Sequence, residues 1–217
     1  MARLLFELAG EWKRLAGPGR EAAAVGAELL ARWAEPHRRY HTLDHLKAVL
    51  AAVEVLADAA RDSTLVRYAA WFHDAVYRGE PGADEENSAQ LAELLLPSCG
   101  LSTEQVAEVA RLVRVTADHS PEPGDANAEV LCDADLAILA AEDAEYTAYA
   151  AAVRQEYAHV GDVEFARGRI AVLRDLLASP RLYRTEQGYA WWEERARANV
   201  AAEIARLTEQ AAGFAPS

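Results

Sequence analysis

Apolar residues recur three and four positions apart along this chain, and that spacing restricts the fold more than any other feature. Leu46, Val49, Leu50, Val53 and Leu56 fall on one face of a helix, as do Leu65, Val66, Ala69, Phe72 and Val76. No segment shows sustained two-residue alternation with β-branched residues. Alanine, the residue least costly to place in a helix, is abundant, and proline is sparse. Hydrophobic residues are 52% of the 217, enough for a sizeable core. The expected fold is all-α: a single domain over 1–217 of about ten helices.

Punctuation places the helices. Segments 3–16 and 19–34 read as amphipathic helices parted by Gly17-Pro18-Gly19, and Glu35-Pro36 ends the second. A third is expected over about 43–60. Ser63-Thr64 reads as the N-cap of a fourth that continues to about Tyr77. Further helices are expected over 84–97 and 102–118, the latter opened by a capping box of Ser102 with Gln105. After the loop Ser120-Pro121-Glu122-Pro123-Gly124-Asp125, a helix starts at about Asp133, and others cover 144–158, 162–178 and 187–211.

The formal net charge is -13, which repels phosphate backbones at long range and argues against an extended nucleic-acid partner. A small phosphorylated substrate stays compatible, because a metal ion reverses the sign locally. Cys99 and Cys132 form no CxxC pair and are expected as reduced, buried thiols. Only a short apolar stretch precedes Glu7, and no apolar run approaches a transmembrane length. The expectation is a cytoplasmic protein without a membrane partner; self-association into a homo-oligomer is left open.

Among the six histidines, His73 falls in the middle of an apolar arc, and Asp74 follows it directly. A buried imidazole and a buried carboxylate both need partners, and one shared cation would serve both. A lone His-Asp dipeptide is more simply a core histidine beside an arginine-paired aspartate. Here it is not alone. His45 lies at the edge of the Leu46/Val49/Val53 face, and His41 sits four residues earlier, with Thr42 as N-cap. On a helical wheel Asp135 points inward between Ile138 and Leu139, while Asp133 points to the other side, where it suits a helix cap.

The ordered set resembles the HD superfamily, and more closely its bacterial branch of predicted metal-dependent phosphohydrolases. The stretches that carry the resemblance are Arg38-Arg39-Tyr40-His41-Thr42-Leu43-Asp44-His45, Trp71-Phe72-His73-Asp74-Ala75-Val76-Tyr77, Glu85-Glu86-Asn87-Ser88-Ala89, Asp133-Ala134-Asp135-Leu136-Ala137-Ile138-Leu139, Val153-Arg154-Gln155-Glu156-Tyr157 and Arg195-Ala196-Arg197-Ala198-Asn199. They span about residues 30–205. The resemblance implies an HD core over about 30–140 with C-terminal helices 144–211 packed on it. It implies His45, His73, Asp74 and Asp135 as ligands of one divalent metal ion, with Mn, Fe, Co, Ni or Zn suited to that donor set and Mg less so.

The implied reaction is hydrolysis of a phosphate ester or anhydride in a nucleotide or another small metabolite, by a metal-activated water. Asp74 would orient that water, and His41 and His119 would contact the phosphate or protonate the leaving group. For His119 a surface helix-end role is an equal alternative. Glu86 is a candidate second base or a solvated charge. Arg38, Arg154 and Arg169 are candidate phosphate clamps, each more simply a structural ion pair. Two rival readings remain: a non-catalytic protein that binds metal or nucleotide, and an HD-type di-iron oxygenase. The oxygenase would need more histidines between His73 and Asp135 than His119 alone. Ala75-Val76-Tyr77-Arg78 lacks the acidic residues of the alarmone hydrolases, so that activity is not assigned.

Overall fold

Helix is the only regular structure among residues 2–213, the part of the chain that the computed structural model describes. Ten α-helices follow in order: α1 (Ala2–Ala16), α2 (Arg20–Trp33), α3 (Leu43–Val55), α4 (Ser63–Phe72), α5 (Ala83–Leu95), α6 (Thr103–Val115), α7 (Ala126–Asp135), α8 (Asp143–Glu156), α9 (Asp162–Ala178) and α10 (Glu186–Gly213). Short 3-10 turns cover Ala57–Ala59, Leu96–Cys99 and Leu136–Ala140. None of the described helices is long and apolar enough to cross a membrane.

Most boundaries fall where the punctuation placed them, and the Ser102–Gln105 capping box is present in both directions. Four expectations shift. The third helix stops at Val55 rather than near residue 60, giving way to a 3-10 turn. Asp62, not Ser63 or Thr64, caps α4, its carboxylate accepting from the amides of Thr64 and Leu65. That helix ends at Phe72 rather than near Tyr77. The helix expected from about Asp133 begins at Ala126, so Asp133 lies inside α7, fully buried, and cannot cap its N-terminus. Of the two cysteines, Cys132 is buried and Cys99 only half-buried; both are free thiols.

The chain gathers into two compact units, Met1–Asp135 and Leu136–Ser217. The first is built around Trp33, Trp71, Phe72, Leu46, Leu112 and Leu131, all fully buried. Each such side chain contributes about 1.5–3 kcal/mol through burial. Trp12 on α1 meets Trp71 edge to face at 5.2 Å and donates its indole N–H to the Ala22 carbonyl at 2.6 Å. Such proximity of α1 and α2 requires Gly26, where a Cβ would stand 2.2 Å from Trp12 Cδ1. Trp33, at the end of α2, donates to the Trp71 carbonyl at 3.0 Å and so ties α2 to α4 just before His73.

In the second unit, Leu139, Tyr146, Leu173, Tyr183 and Val200 form the apolar core. Asn199 on α10 donates to the carbonyls of Leu139 and Ala141, at 2.8 and 2.9 Å, pinning the 3-10 turn to the long helix.

Candidate metal centre

Three elements of the first unit bring three of the four predicted ligands, His45, His73 and Asp135, together, with Asp74 beside them but outside that group. His45 sits in the first turn of α3, behind an extended Thr42 that leaves His41 outside the helix. His73 is the C-cap of α4, and Asp135 is the last residue of α7.

The early end of α4 is what lets His73 and Asp74 act together. Successive residues of an α-helix point about 100° apart, so neighbours in a helix do not face one ion. A continuing helix would bond the Asp74 carbonyl to the Arg78 amide. Instead Arg38 donates to the carbonyls of Asp74 (2.8 Å) and Ala75 (3.3 Å), and the Arg78 amide goes to Asp84 Oδ2 at 2.8 Å. The chain turns away after Phe72, and Asp74 Oδ2 comes to 3.3 Å from His73 Nε2.

His73 donates from Nδ1 to the Ala70 carbonyl at 2.8 Å, which leaves Nε2 for the cluster. That nitrogen faces His45 Nε2 at 3.2 Å. Asp135 Oδ1 lies 3.1 Å from His45 Nε2 and 3.4 Å from His73 Nε2, and its other oxygen meets His119 Nε2 at 2.8 Å. Asp74 Oδ2 is also 3.8 Å from His45 Nε2 and 3.9 Å from His41 Nε2.

The donor set fits a metal ion. Two nitrogens each about 2.1 Å from one ion, at tetrahedral or octahedral angles, lie roughly 3.0–3.4 Å apart, and the His45–His73 separation falls in that interval. His45, His73 and Asp135 offer ligand atoms all within 4.8 Å of one another. The electrostatics agree. Burial lowers the pKa of His45. Burial opposes charge on His73 as well, yet the Asp74 and Asp135 carboxylates outweigh it and hold that ring well above the ordinary imidazole range. Both carboxylates stay well below their usual range despite burial, chiefly because of His73. The two carboxylates therefore favour a positive charge between them, which a protonated His73 or a cation in its place supplies.

The cluster is not uniformly buried. The His45 and His73 rings are buried, whereas the Asp74 and Asp135 side chains keep 13% exposure, and His41 and His119 keep 21% and 22%. His41 stacks on Tyr77 at 4.1 Å and meets Tyr40 edge-on at 4.8 Å. Tyr40 also lies 4.7 Å from the His45 ring. The sequence reading overlooked these two tyrosines; their place beside His41 and shortly after His-Asp was the available signal.

The remaining candidates stand elsewhere. The Arg38 guanidinium is buried, committed to the carbonyls of His41, Asp74 and Ala75 and to Glu35, so it braces the site from behind rather than facing substrate. Glu86 forms a two-pronged ion pair with Arg114 at 2.7 and 2.9 Å, which holds its carboxyl down to about 2, too low for a general base near neutral pH. In the second unit, Arg154 binds Asp162 and the carbonyls of Tyr157 and Val160, closing the α8–α9 loop. Arg169 in the same unit pairs with Glu203 at 2.9 Å and lies over the Tyr149 ring. The bland structural reading describes all three arginines.

Comparison with family models, curated proteins and solved structures finds no match to this chain.

Proposed function

We propose that the chain is a metal-dependent phosphohydrolase of the HD type that acts on a nucleotide or another small phosphorylated metabolite. The observation that carries this reading is the cluster of His45, His73 and Asp135, with Asp74 3.3 Å from His73 and the part-exposed His41 and His119 beside the two carboxylates. A purely structural metal site closes its ligand shell, whereas a catalytic one leaves a side for substrate. The order in which these residues occur along the chain also resembles that of HD-type hydrolases.

A divalent ion bound there would lower the pKa of a coordinated water and polarise a phosphoryl oxygen. The chain's own residues supply the rest. Asp74, between the histidine pair and His41, accepts a hydrogen bond from the attacking water and orients it. His41, fixed between Tyr77 and Tyr40, is placed to give a proton to the leaving oxygen. Since Arg38 faces backbone carbonyls and Glu86 is locked to Arg114, neither takes part. The net charge of -13 favours small substrates over extended nucleic acid.

The test is elemental analysis of untagged wild type and Asp135→Ala, purified side by side, followed by a screen of phosphorylated metabolites with the metal found. About one equivalent of a transition metal in wild type, little in the variant, and metal-dependent phosphate release support the reading. Iron at about two equivalents would favour the oxygenase chemistry. No metal after reconstitution with Mn, Fe, Co, Ni, Zn or Mg overturns the proposal, and metal without phosphate release from any substrate leaves a metal-binding protein.

A further inference from the structure

His119 is the only non-glycine residue with a positive φ, 51°, among the described residues. It lies just past the end of α6, its amide bonded to the Val115 carbonyl at 3.1 Å, while the Ser120 amide closes the turn on Asp118 Oδ1 at 3.0 Å. Glycine takes this left-handed conformation with no steric penalty, and a side chain does not. Strain of this kind persists where the side chain is needed. The His119 side chain is 22% exposed, so it is held both by partial burial and by its partner in the cluster. Its one close contact with the cluster is Nε2 to Asp135 Oδ2 at 2.8 Å, while Asp135 Oδ1 faces the two histidines. The carboxylate is thus divided between two tasks.

We infer that His119 is a positioning residue: by holding Oδ2 through its Nε2–H, it makes Asp135 present a single oxygen to the metal. A carboxylate free to turn can bind an ion through both oxygens and so occupy two positions on it. Held by His119, Asp135 occupies one and leaves the other to a substrate oxygen. This deepens the metal reading of the site and rests on it. It also sets His119 apart from His41, whose place beside Asp74 suits proton transfer.

The experiment uses metal-stripped full-length protein titrated with Co2+ against a chromophoric chelator, with the visible Co2+ spectrum recorded at saturation. Wild type is compared with His119→Ala, His119→Gln and His119→Gly. His119→Ala is expected to weaken Co2+ binding about 10- to 100-fold and to lower the intensity of the visible bands, as the freed carboxylate raises the coordination number. His119→Gln, which restores an N–H donor, is expected to regain most of the affinity and the wild-type spectrum. Without metal, His119→Gly is expected to melt at a higher temperature than His119→Ala, because both lose the ring and only glycine relieves the backbone. Wild-type affinity and spectrum in His119→Ala overturn the inference alone. So does His119→Gln that binds no better than His119→Ala. A wild type that binds no Co2+ overturns the metal reading and this inference together, and does so before any variant is compared.

Discussion

Each of the two units buries a knot of charged and polar side chains, and the knots are built on opposite rules. In the second unit every acceptor meets a donor. Glu203 takes Arg169 on one side and the Tyr146 hydroxyl, at 2.5 Å, on the other; burial and then Glu203 itself push that phenol above its usual range. Glu193 accepts from the amides of Leu182 and Tyr183 and from Arg197. In the first unit like faces like: one ring nitrogen against another, with two carboxylates turned toward both. Buried charge by itself therefore does not mark a functional site, because a closed ion pair is an ordinary structural device. Imidazole nitrogens and carboxylates converging on one another mark a candidate site, since one cation can satisfy all of them.

The contrast can be broken most forcefully at Glu203. Glu203→Ala leaves Arg169 buried without its carboxylate and should lower stability by about 3–5 kcal/mol in denaturant titrations, with Co2+ affinity unchanged. Replacing both partners by apolar residues of similar volume should restore most of that loss. Loss of metal binding in Glu203→Ala would mean that the two knots are not independent. The next effect runs the other way. Metal at about a hundred times its Kd should stabilise wild type by about 2.7 kcal/mol, shown as a rise in melting temperature that Asp135→Ala abolishes and Glu203→Ala retains. Gly26→Ala is a packing control in the first unit: the added methyl drives into Trp12, for an expected cost of about 1–3 kcal/mol, with metal binding intact.

The smallest effect is at the exposed Glu86–Arg114 pair. Because the Glu86 carboxyl falls from an ordinary 4.5 to about 2, its contribution is complete above 4.5 and is lost as pH falls through 2. Glu86→Gln should flatten the stability profile in that acid window and leave activity at neutral pH unaltered. A large loss of activity at neutral pH would return Glu86 to the catalytic machinery.

The helices and the points of the cluster were legible because burial leaves a period in the sequence. His73 and Asp135 stood out as polar residues on apolar faces, and the Ser102–Gln105 box carries its own local chemistry. What stayed hidden depends on partners distant in the chain. Nothing local in Ala75-Val76-Tyr77 stops a helix; Arg38, some 36 residues earlier, takes the carbonyls that would continue it. Phosphate clamp and structural brace look alike in a sequence, since only the direction of the guanidinium separates them. The true start of α7 was within reach: Asp125 ends the loop, and its carboxylate accepts from the Ala128 amide at 3.2 Å, as a helix-capping aspartate does. Asp62 beside Ser63 presented two adjacent cap residues, and the side chain that reached two amides prevailed.

The segment after the His-Asp corner has one further consequence. Val76, Arg78 and Glu80 belong to no helix, yet their amides donate to Ser88 Oγ and to Asp84 Oδ2 at 3.0, 2.8 and 2.9 Å. Ser88 and Asp84 stand one turn apart on α5, so the loop is fastened to that helix by side chains where backbone ladders are absent. Exchange of amide hydrogens with solvent follows opening of such bonds rather than the presence of a named element. These three amides should therefore exchange on the slow schedule of α5, and Ser88→Ala should quicken Val76 while leaving the middle of α5 slow. The rigid ground under Asp74 extends past the last residue of α4, out to residue 80.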